Sequence, residues 1–438
     1  MSGSNSLLGS AKLGAEIPGR FQLCCGSSRM VCVNLGFGLR SKQKQEFSAE
    51  SRSMNVVLGC FKQRKSRKLK NVEVESVEGG EDVWDSASAS ADAKYKYPEH
   101  LVVMVNGIIG SAEDWKYAAQ QFVNKLPDKV IVHRSECNYS RLTFDGVDLM
   151  GERLAEEVLS VVRRRPGVQK VSFVAHSLGG LVARYAVGRL YAPVSDREVM
   201  VVTGNCSSKE NLSYATQCLE KHQESRVAGL EPMNFITFAS PHLGSWGHKQ
   251  LPFLCGLPFL ERRASQTAHW IVGRTGKHLF LTDNDEGRPP LLLQMVNDCD
   301  DLKFISGLRS FKRRVAYANA NFDHIVGWRT SSIRRQHELP KYHLLVKDHK
   351  YPHIVYVERE KSEMRPVASS YVGGQPIDLE EEMIRGLNQV SWERVDVSFL
   401  KSRQRYTAHN TIQARVKSYW MNSDGADVVF HMIDNFLV

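Results

Sequence analysis

The chain has 438 residues, 42% of them hydrophobic and 24% charged, so it can bury a sizeable core in two or three average domains or in one α/β domain with insertions. Its net charge of +10 would point to nucleic acid or an anionic membrane if it were spread over the folded part. Residues 1–70, however, hold 13 Lys and Arg against Glu16, Glu46 and Glu50, which leaves 45 charges of each sign in the remainder, and no nucleic-acid partner is expected.

The first 45 residues contain one acid, several serines and scattered Lys and Arg, without the compact apolar segment of a secretory signal. This predicts an organellar transit peptide and an intracellular protein, chloroplast rather than cytosol; the alternative is a disordered basic tail. Four of the nine cysteines lie in residues 1–70 and no C-x-x-C pair occurs, which argues against a disulfide framework and a zinc site. The acidic, then Ser/Ala-rich stretch 76–100 reads as a linker. Residues 1–95 are therefore expected to lie outside a domain spanning 96–438.

From His100 onward short β-branched runs alternate with amphipathic stretches, the pattern of βαβ units and a mostly parallel sheet flanked by helices. Predicted strands are 101–107, 129–136, 171–176, 233–242, 314–323 and 394–399. In the segment 146–167, Val147, Met150, Leu154, Val158 and Val162 recur near helical spacing before Pro166-Gly167, so a helix covers the sheet. Residues 192–230, 245–282 and 336–393 break the alternation and read as insertions. The second reads as a cap or lid, or as a helical insertion packed on the core, and 341–360 alternates like a hairpin. The longest apolar run, "LPFLCGLPFL" at 251–260, carries two prolines and is about half the length that spans a bilayer. No transmembrane helix is expected.

The segment "KVSFVAHSLGGLVARYAVG" runs from strand to helix through a sharp turn with Ser177 at its apex, the geometry of a nucleophile elbow, G-x-S-x-G. Ala175 replaces the first glycine and adds one methyl. A serine is a poor nucleophile until a base takes its proton and a third group holds that base in the correct tautomer. In an open α/β sheet these groups meet at the carboxyl ends of the strands. Asp323, just beyond the strand "RVAYANA", is the candidate acid; a plain turn residue is the competing reading. His409, after the last strand, is the candidate base among fifteen histidines, with His176, His242, His324 and His431 as competitors. The Leu178 amide and the Ile108 amide are candidate oxyanion donors, and Gly107, Gly179 and Gly180 are the supporting turn glycines. The loop acids Asp283, Asp285, Glu286, Asp298, Asp300 and Asp301 fit no metal-loop spacing, and neither a metal nor a cofactor is expected.

Five blocks carry a resemblance: "HLVVMVNGIIGSAEDW", "FVAHSLGGLVARYAVG", "FITFASPHLGS", "FKRRVAYANANFDHIVGWRTSSIR" and "AHNTIQAR". In this order they resemble the serine esterase, or lipase-like, family of α/β-hydrolases found in plants and fungi, and the chain reads as a plant-type member. The resemblance implies an α/β-hydrolase fold and a triad of Ser177, Asp323 and His409. It also implies cleavage of carboxylic esters, with lipid esters as substrates and peripheral contact with a lipid surface. Asn106 stands where the family often has histidine, and Ala175 where glycine is commoner. An acyltransferase on the same triad and a catalytically silent lipid-binding module are the alternatives.

Overall fold

The computed structural model describes residues 72–77, 80–85, 98–193, 225–245, 273–284, 287–359, 378–415 and 422–438. Strands β1 (Val72–Val77), β2 (Gly80–Asp85), β3 (His100–Val105), β4 (Val130–Arg134), β5 (Lys170–His176), β8 (Glu231–Phe238), β9 (Arg313–Asn319), β10 (Ile354–Arg359) and β11 (Glu393–Val397) form one sheet. Its order is β1-β2-β4-β3-β5-β8-β9-β11-β10. Two short strands, β6 (Tyr191–Ala192) and β7 (Arg226–Val227), pair separately. From β4 across to β11 every pairing is parallel. Such a sheet needs crossover helices between its strands. Helices α1 (Lys116–Lys125), α2 (Val147–Arg164) and α3 (Leu178–Leu190) supply them for β3 to β4, β4 to β5, and β5 to β8. This is the α/β-hydrolase fold, as the sequence predicts.

Strand β3 shows why the sheet sits in the middle. Every residue of "HLVVMV" is buried, and period-two alternation sends successive side chains to opposite layers. Leu101, Val103 and Val105 join a core with α2 and α3, while Val102 and Met104 join a second core with α1 and the C-terminal helix Ala426–Asp434. Each apolar side chain fully buried in this way contributes roughly 1.5–3 kcal/mol. On α2, Val147, Met150, Leu154 and Val158 are buried with Val161; Val162 is only partly buried against them.

Between β8 and β9 the chain inserts further helices, 273–279, Leu291–Gln294 and Phe304–Ser310, which form the cap-like region of the fold. Phe304 lies against Tyr185 of α3, ring centroids 5.6 Å apart. Residues 246–272, most of the insertion at 245–282, lie outside the described residues, as do 194–224, 360–377 and the transit-peptide segment 1–45.

Two expectations need correction. The boundary at residue 96 is too late: "VEVESV" and "GEDVWD" form a β1–β2 hairpin whose second strand pairs with β4. The stretch alternates Val with acids around Gly79-Gly80, a hairpin signal that its acidity obscures. Segment 341–360 is not a hairpin of two strands. Its only strand, β10, pairs antiparallel with β11, and the preceding chain folds back with two bonds, from Val346 N to the Val355 carbonyl and from Asp348 N to the Ile354 carbonyl. The described residues belong to one compact unit, Arg67–Val438.

Candidate active site

Strand β5 ends at His176 and α3 begins at Leu178, so the whole reversal falls on Ser177, with φ +54° and ψ −127°. A non-glycine residue held there costs of order 1–3 kcal/mol and persists only where its surroundings over-determine it. Those surroundings are close-packed. Ser177 N donates to the Phe238 carbonyl at 2.8 Å, extending the β5–β8 ladder through the turn. A methyl at Gly179 would lie 2.5 Å from the Asn106 carbonyl oxygen, at Gly180 2.2 Å from Ser240 Oγ, and at Gly107 2.9 Å from Ser177 Cβ. At Gly179 the added methyl would meet the backbone at the end of β3, whereas at Gly180 and Gly107 it would meet the side chains of Ser240 and Ser177.

Asp323 lies in the loop after β9. Its carboxylate accepts from Ile325 N (3.0 Å), Val326 N (2.9 Å), Asn319 Nδ2 (2.9 Å) and His409 Nδ1 (3.0 Å). Burial by itself would raise this carboxyl, yet the His409 ring beside it and these donors hold it below the ordinary carboxylate value. In this one residue Oδ1 closes the loop turn and Oδ2 faces the His409 ring.

His409 sits in the one-turn helix Ala408–Thr411. Its Nε2 is 3.0 Å from Ser177 Oγ. Because a carboxylate only accepts, the proton resides on Nδ1 toward Asp323, and Nε2 is left to accept from the Ser177 hydroxyl. The structure therefore brings Ser177, His409 and Asp323 into one hydrogen-bonded line, assembled from the carboxyl ends of β5, β9 and β11.

For the oxyanion candidates, Leu178 is the first residue of α3, where an amide has no acceptor inside the helix. In the loop after β3, Ile109 N donates to Thr143 Oγ1 and Gly110 N to the Gly107 carbonyl. Those two amides are spent, and the candidate Ile108 amide precedes them in the same loop. Asn106 braces it, donating through Nδ2 to the Gly107 and Asn138 carbonyls.

Two polar residues that close strands, His176 of β5 and Asn319 of β9, fasten the segment that carries His409. His176 Nε2 donates to the His409 carbonyl at 2.7 Å, with the two rings 4.7 Å apart. Asn319 Nδ2, besides meeting Asp323, donates to the Ala408 carbonyl at 3.3 Å. Consecutive carbonyls of the segment carrying the base are thus fastened from the ends of β5 and β9. Burial and the neighbouring His409 push the His176 imidazole well below its ordinary value, so it stays a neutral donor. The signal for both was a polar residue closing an otherwise apolar strand.

The remaining histidines lie elsewhere. His242 meets Thr237 Oγ1, His431 meets the Tyr317 hydroxyl in the opposite core layer, and His324 is exposed. A second serine–histidine contact, His100 Nε2 to Ser172 Oγ at 2.8 Å, joins the starts of β3 and β5, away from the elbow. This pair has the atoms of a dyad, but Ser172 is wholly buried and also accepts from Asn234 N and Nδ2. His100 Nδ1 has no hydrogen-bond partner to orient it. Among the described residues no cluster of three or more His, Cys, Asp or Glu could hold a metal ion.

Residues 95–333 match the model of the family described as "Putative serine esterase (DUF676)". The chain belongs to this family. The match takes in Ser177 and Asp323 and stops short of His409. Among curated proteins the chain is similar to "Putative lipase C4A8.10" of Schizosaccharomyces pombe, 28% identical over 264 residues. It is also similar to "Putative lipase ROG1" of Saccharomyces cerevisiae, 30% identical over 241 residues. These alignments cover 58% and 54% of this chain but 28% of either relative, and both relatives are fungal. Solved structures with a similar chain path include carboxyl esterase 2 of Tuber melanosporum, at 10% identity, covering 82% of this chain and 88% of that one with a TM-score of 0.37. Another is the Bacillus licheniformis lipase BlEst2 in its mature form, at 14% identity, with 53% and 69% covered and a TM-score of 0.28. The protein is a serine-esterase, lipase-like α/β-hydrolase at the level of its family. Among the described residues no helix is long and apolar enough to cross a membrane.

Proposed function

We propose that the protein hydrolyses carboxylic ester bonds of lipids through an acyl-enzyme on Ser177. The observation that carries this reading is the line from Ser177 Oγ through His409 to the Asp323 carboxylate, with both contacts at 3.0 Å. His409 Nε2 takes the Ser177 proton as Oγ attacks the ester carbonyl, and the imidazolium so formed is stabilised by Asp323. The amides of Leu178 and Ile108 receive the developing oxyanion. Collapse expels the alcohol, which takes the proton from His409; water then attacks the acyl-enzyme, with His409 as base again, and releases the acid.

Acylglycerols, galactolipids and phospholipids are the proposed substrates. The family's serine-esterase description and the lipase names of the relatives support that class. The plant-type, chloroplast assignment rests on the acid-poor, basic first 45 residues; amino-terminal sequencing of the protein recovered from plastids tests it, and an intact Met1 would remove it.

The test of mechanism is fluorophosphonate labelling of the purified full chain followed by peptide mapping. The expected adduct is on Ser177, with loss of nitrophenyl-ester hydrolysis in Ser177→Ala. An adduct on Ser172 would move the chemistry to the His100 pair, and no adduct would remove the serine mechanism. Lipid profiling of extracts incubated with wild type and Ser177→Ala then names the ester.

A further inference from the structure

We infer that the ion pair of Asp114 and Arg415 is a positioning element that sets the oxyanion loop against the general base. Arg415 Nε donates to Asp114 Oδ1 at 2.7 Å, across 301 positions of sequence. The Asp114 side chain is 2% exposed and that of Arg415 22%, so the pair is largely shielded from water and salt. A charge-assisted bond of this length is among the stronger polar contacts a fold can make.

Each partner is fixed within a segment that carries part of the machinery. The loop after β3 turns at Gly110, whose N donates to the Gly107 carbonyl, and leaves through the short helix Ala112–Trp115. Asp114 Oδ2 accepts from Ser111 N at 3.2 Å, and a methyl on Gly110 would lie 2.7 Å from the same oxygen. The carboxylate is therefore packed on the turn that follows the Ile108 amide. On the other side, Ile412 N donates to the Ala408 carbonyl, Ala414 N to the Thr411 carbonyl and Arg415 N to the Asn410 carbonyl. Asn422 closes this run, accepting from Thr411 Oγ1 and donating to the Arg415 carbonyl. Arg415 thus belongs to one hydrogen-bonded turn with His409, and its charge is felt at the neighbouring His176 imidazole.

The bonds from His176 and Asn319 tie the base segment to the ends of β5 and β9, beside the nucleophile and the acid. Neither bond involves the loop after β3. The Asp114–Arg415 pair supplies that third tie. Proton transfer to His409 and charge build-up on the carbonyl oxygen belong to one step, so both groups must be in register when it occurs. A misplacement of about 1 Å between them can cost about a hundredfold in rate. Ground-state binding of the ester depends far less on that register, so the loss should fall on kcat. The inference deepens the Ser177 reading and rests on it for the reaction that the pair serves.

Full-length wild type, Arg415→Gln, Asp114→Asn, the double variant and Arg415→Lys are compared in hydrolysis of a soluble nitrophenyl ester, thermal unfolding and hydrogen exchange by peptide. The double variant removes both charges, so it leaves no carboxylate stranded in the interior should Arg415→Gln fold poorly. In Arg415→Gln kcat is expected to fall about 10–100-fold with KM within about threefold of wild type. The double variant should be no slower than the slower single, because both substitutions break one tie, and Arg415→Lys should regain part of the rate by keeping the charge. Exchange in 106–111 should quicken in Arg415→Gln and in the double variant. Wild-type kcat in those two variants, multiplying losses in the double, or a fall in kcat matched by KM and following the unfolding temperature would each overturn the inference. Quickened exchange in 106–111, in a protein whose wild type neither labels at Ser177 nor cleaves the ester, would leave the tie standing and overturn the esterase reading alone.

Discussion

Replacing Asp323 with Asn tests how the site is wired. The wild-type carboxylate accepts four N–H donors, two backbone amides on Oδ1 and Asn319 Nδ2 with His409 Nδ1 on Oδ2. An amide can satisfy only one side. With its oxygen kept on the Ile325 and Val326 amides, its NH2 faces Asn319 and His409. That forces the His409 proton onto Nε2, where it opposes the Ser177 hydroxyl. The flipped amide would instead take the acceptor away from the exposed Ile325 amide and the part-buried Val326 amide, at about 1 kcal/mol for the part-buried one, so the first arrangement is favoured and installs the wrong tautomer. Loss of kcat by about 10⁴-fold, roughly 5 kcal/mol in the barrier, follows, with a much smaller change in KM. The assay is steady-state hydrolysis of a soluble nitrophenyl ester beside thermal unfolding over pH. The folded carboxyl is held below its unfolded value, so its contribution to stability is present above about pH 4 and is lost as pH falls through the folded value. The stability gap between wild type and Asp323→Asn should therefore close in acid. A kcat within tenfold of wild type at neutral pH, in a folded variant, would refute the assignment of both acid and tautomer.

Four further outcomes are expected. Asn319→Ala removes the donor shared by Asp323 and the Ala408 carbonyl and should lower kcat about 10–100-fold with little effect on KM; equal losses in stability and in both kinetic constants would make Asn319 merely structural. Gly180→Ala puts a methyl onto Ser240 Oγ and should cost about 1–3 kcal/mol in urea unfolding, part of it recovered by adding Ser240→Gly. Ala175→Gly should lower stability by about 0.5–1 kcal/mol and leave kcat unchanged, whereas a several-fold gain would mean that the methyl holds the elbow off its best geometry. Burial holds His100 neutral down to about 3. The unfolded chain therefore takes up that proton first, and stability should fall by about 1.4 kcal/mol per pH unit below about 6.5, a slope that His100→Gln should reduce by one proton.

Much of the fold is legible because a parallel sheet imposes simple local patterns. Apolar runs such as "LVVMV" are buried on both faces, and the 3.6-residue stripe of α2 survives almost position by position. The β1–β2 hairpin was hidden by its acidic composition, since an acidic stretch followed by a Ser/Ala-rich one resembles a linker. The alternation in 341–360 misled in the opposite way, because β10 finds its partner in β11, about forty residues later in the chain. Of the site, the elbow is a local device: an apolar strand, a serine and two glycines must come in that order, and the close approaches at Gly179 and Gly180 explain why.

The sequence by itself determined the central parallel strands and the helix α2, the sharp turn at Ser177 and the order in which Ser177, Asp323 and His409 follow their strands. Those features depend on side-chain period and on backbone sterics within a few residues. Only the tertiary structure decided that His409, among fifteen histidines, comes within 3.0 Å of Ser177 Oγ, and that His176 and Asn319 hold its backbone. These contacts join residues 86 to 233 positions apart. At such separations it is strand order in the sheet, and not spacing along the chain, that sets which polar ends meet.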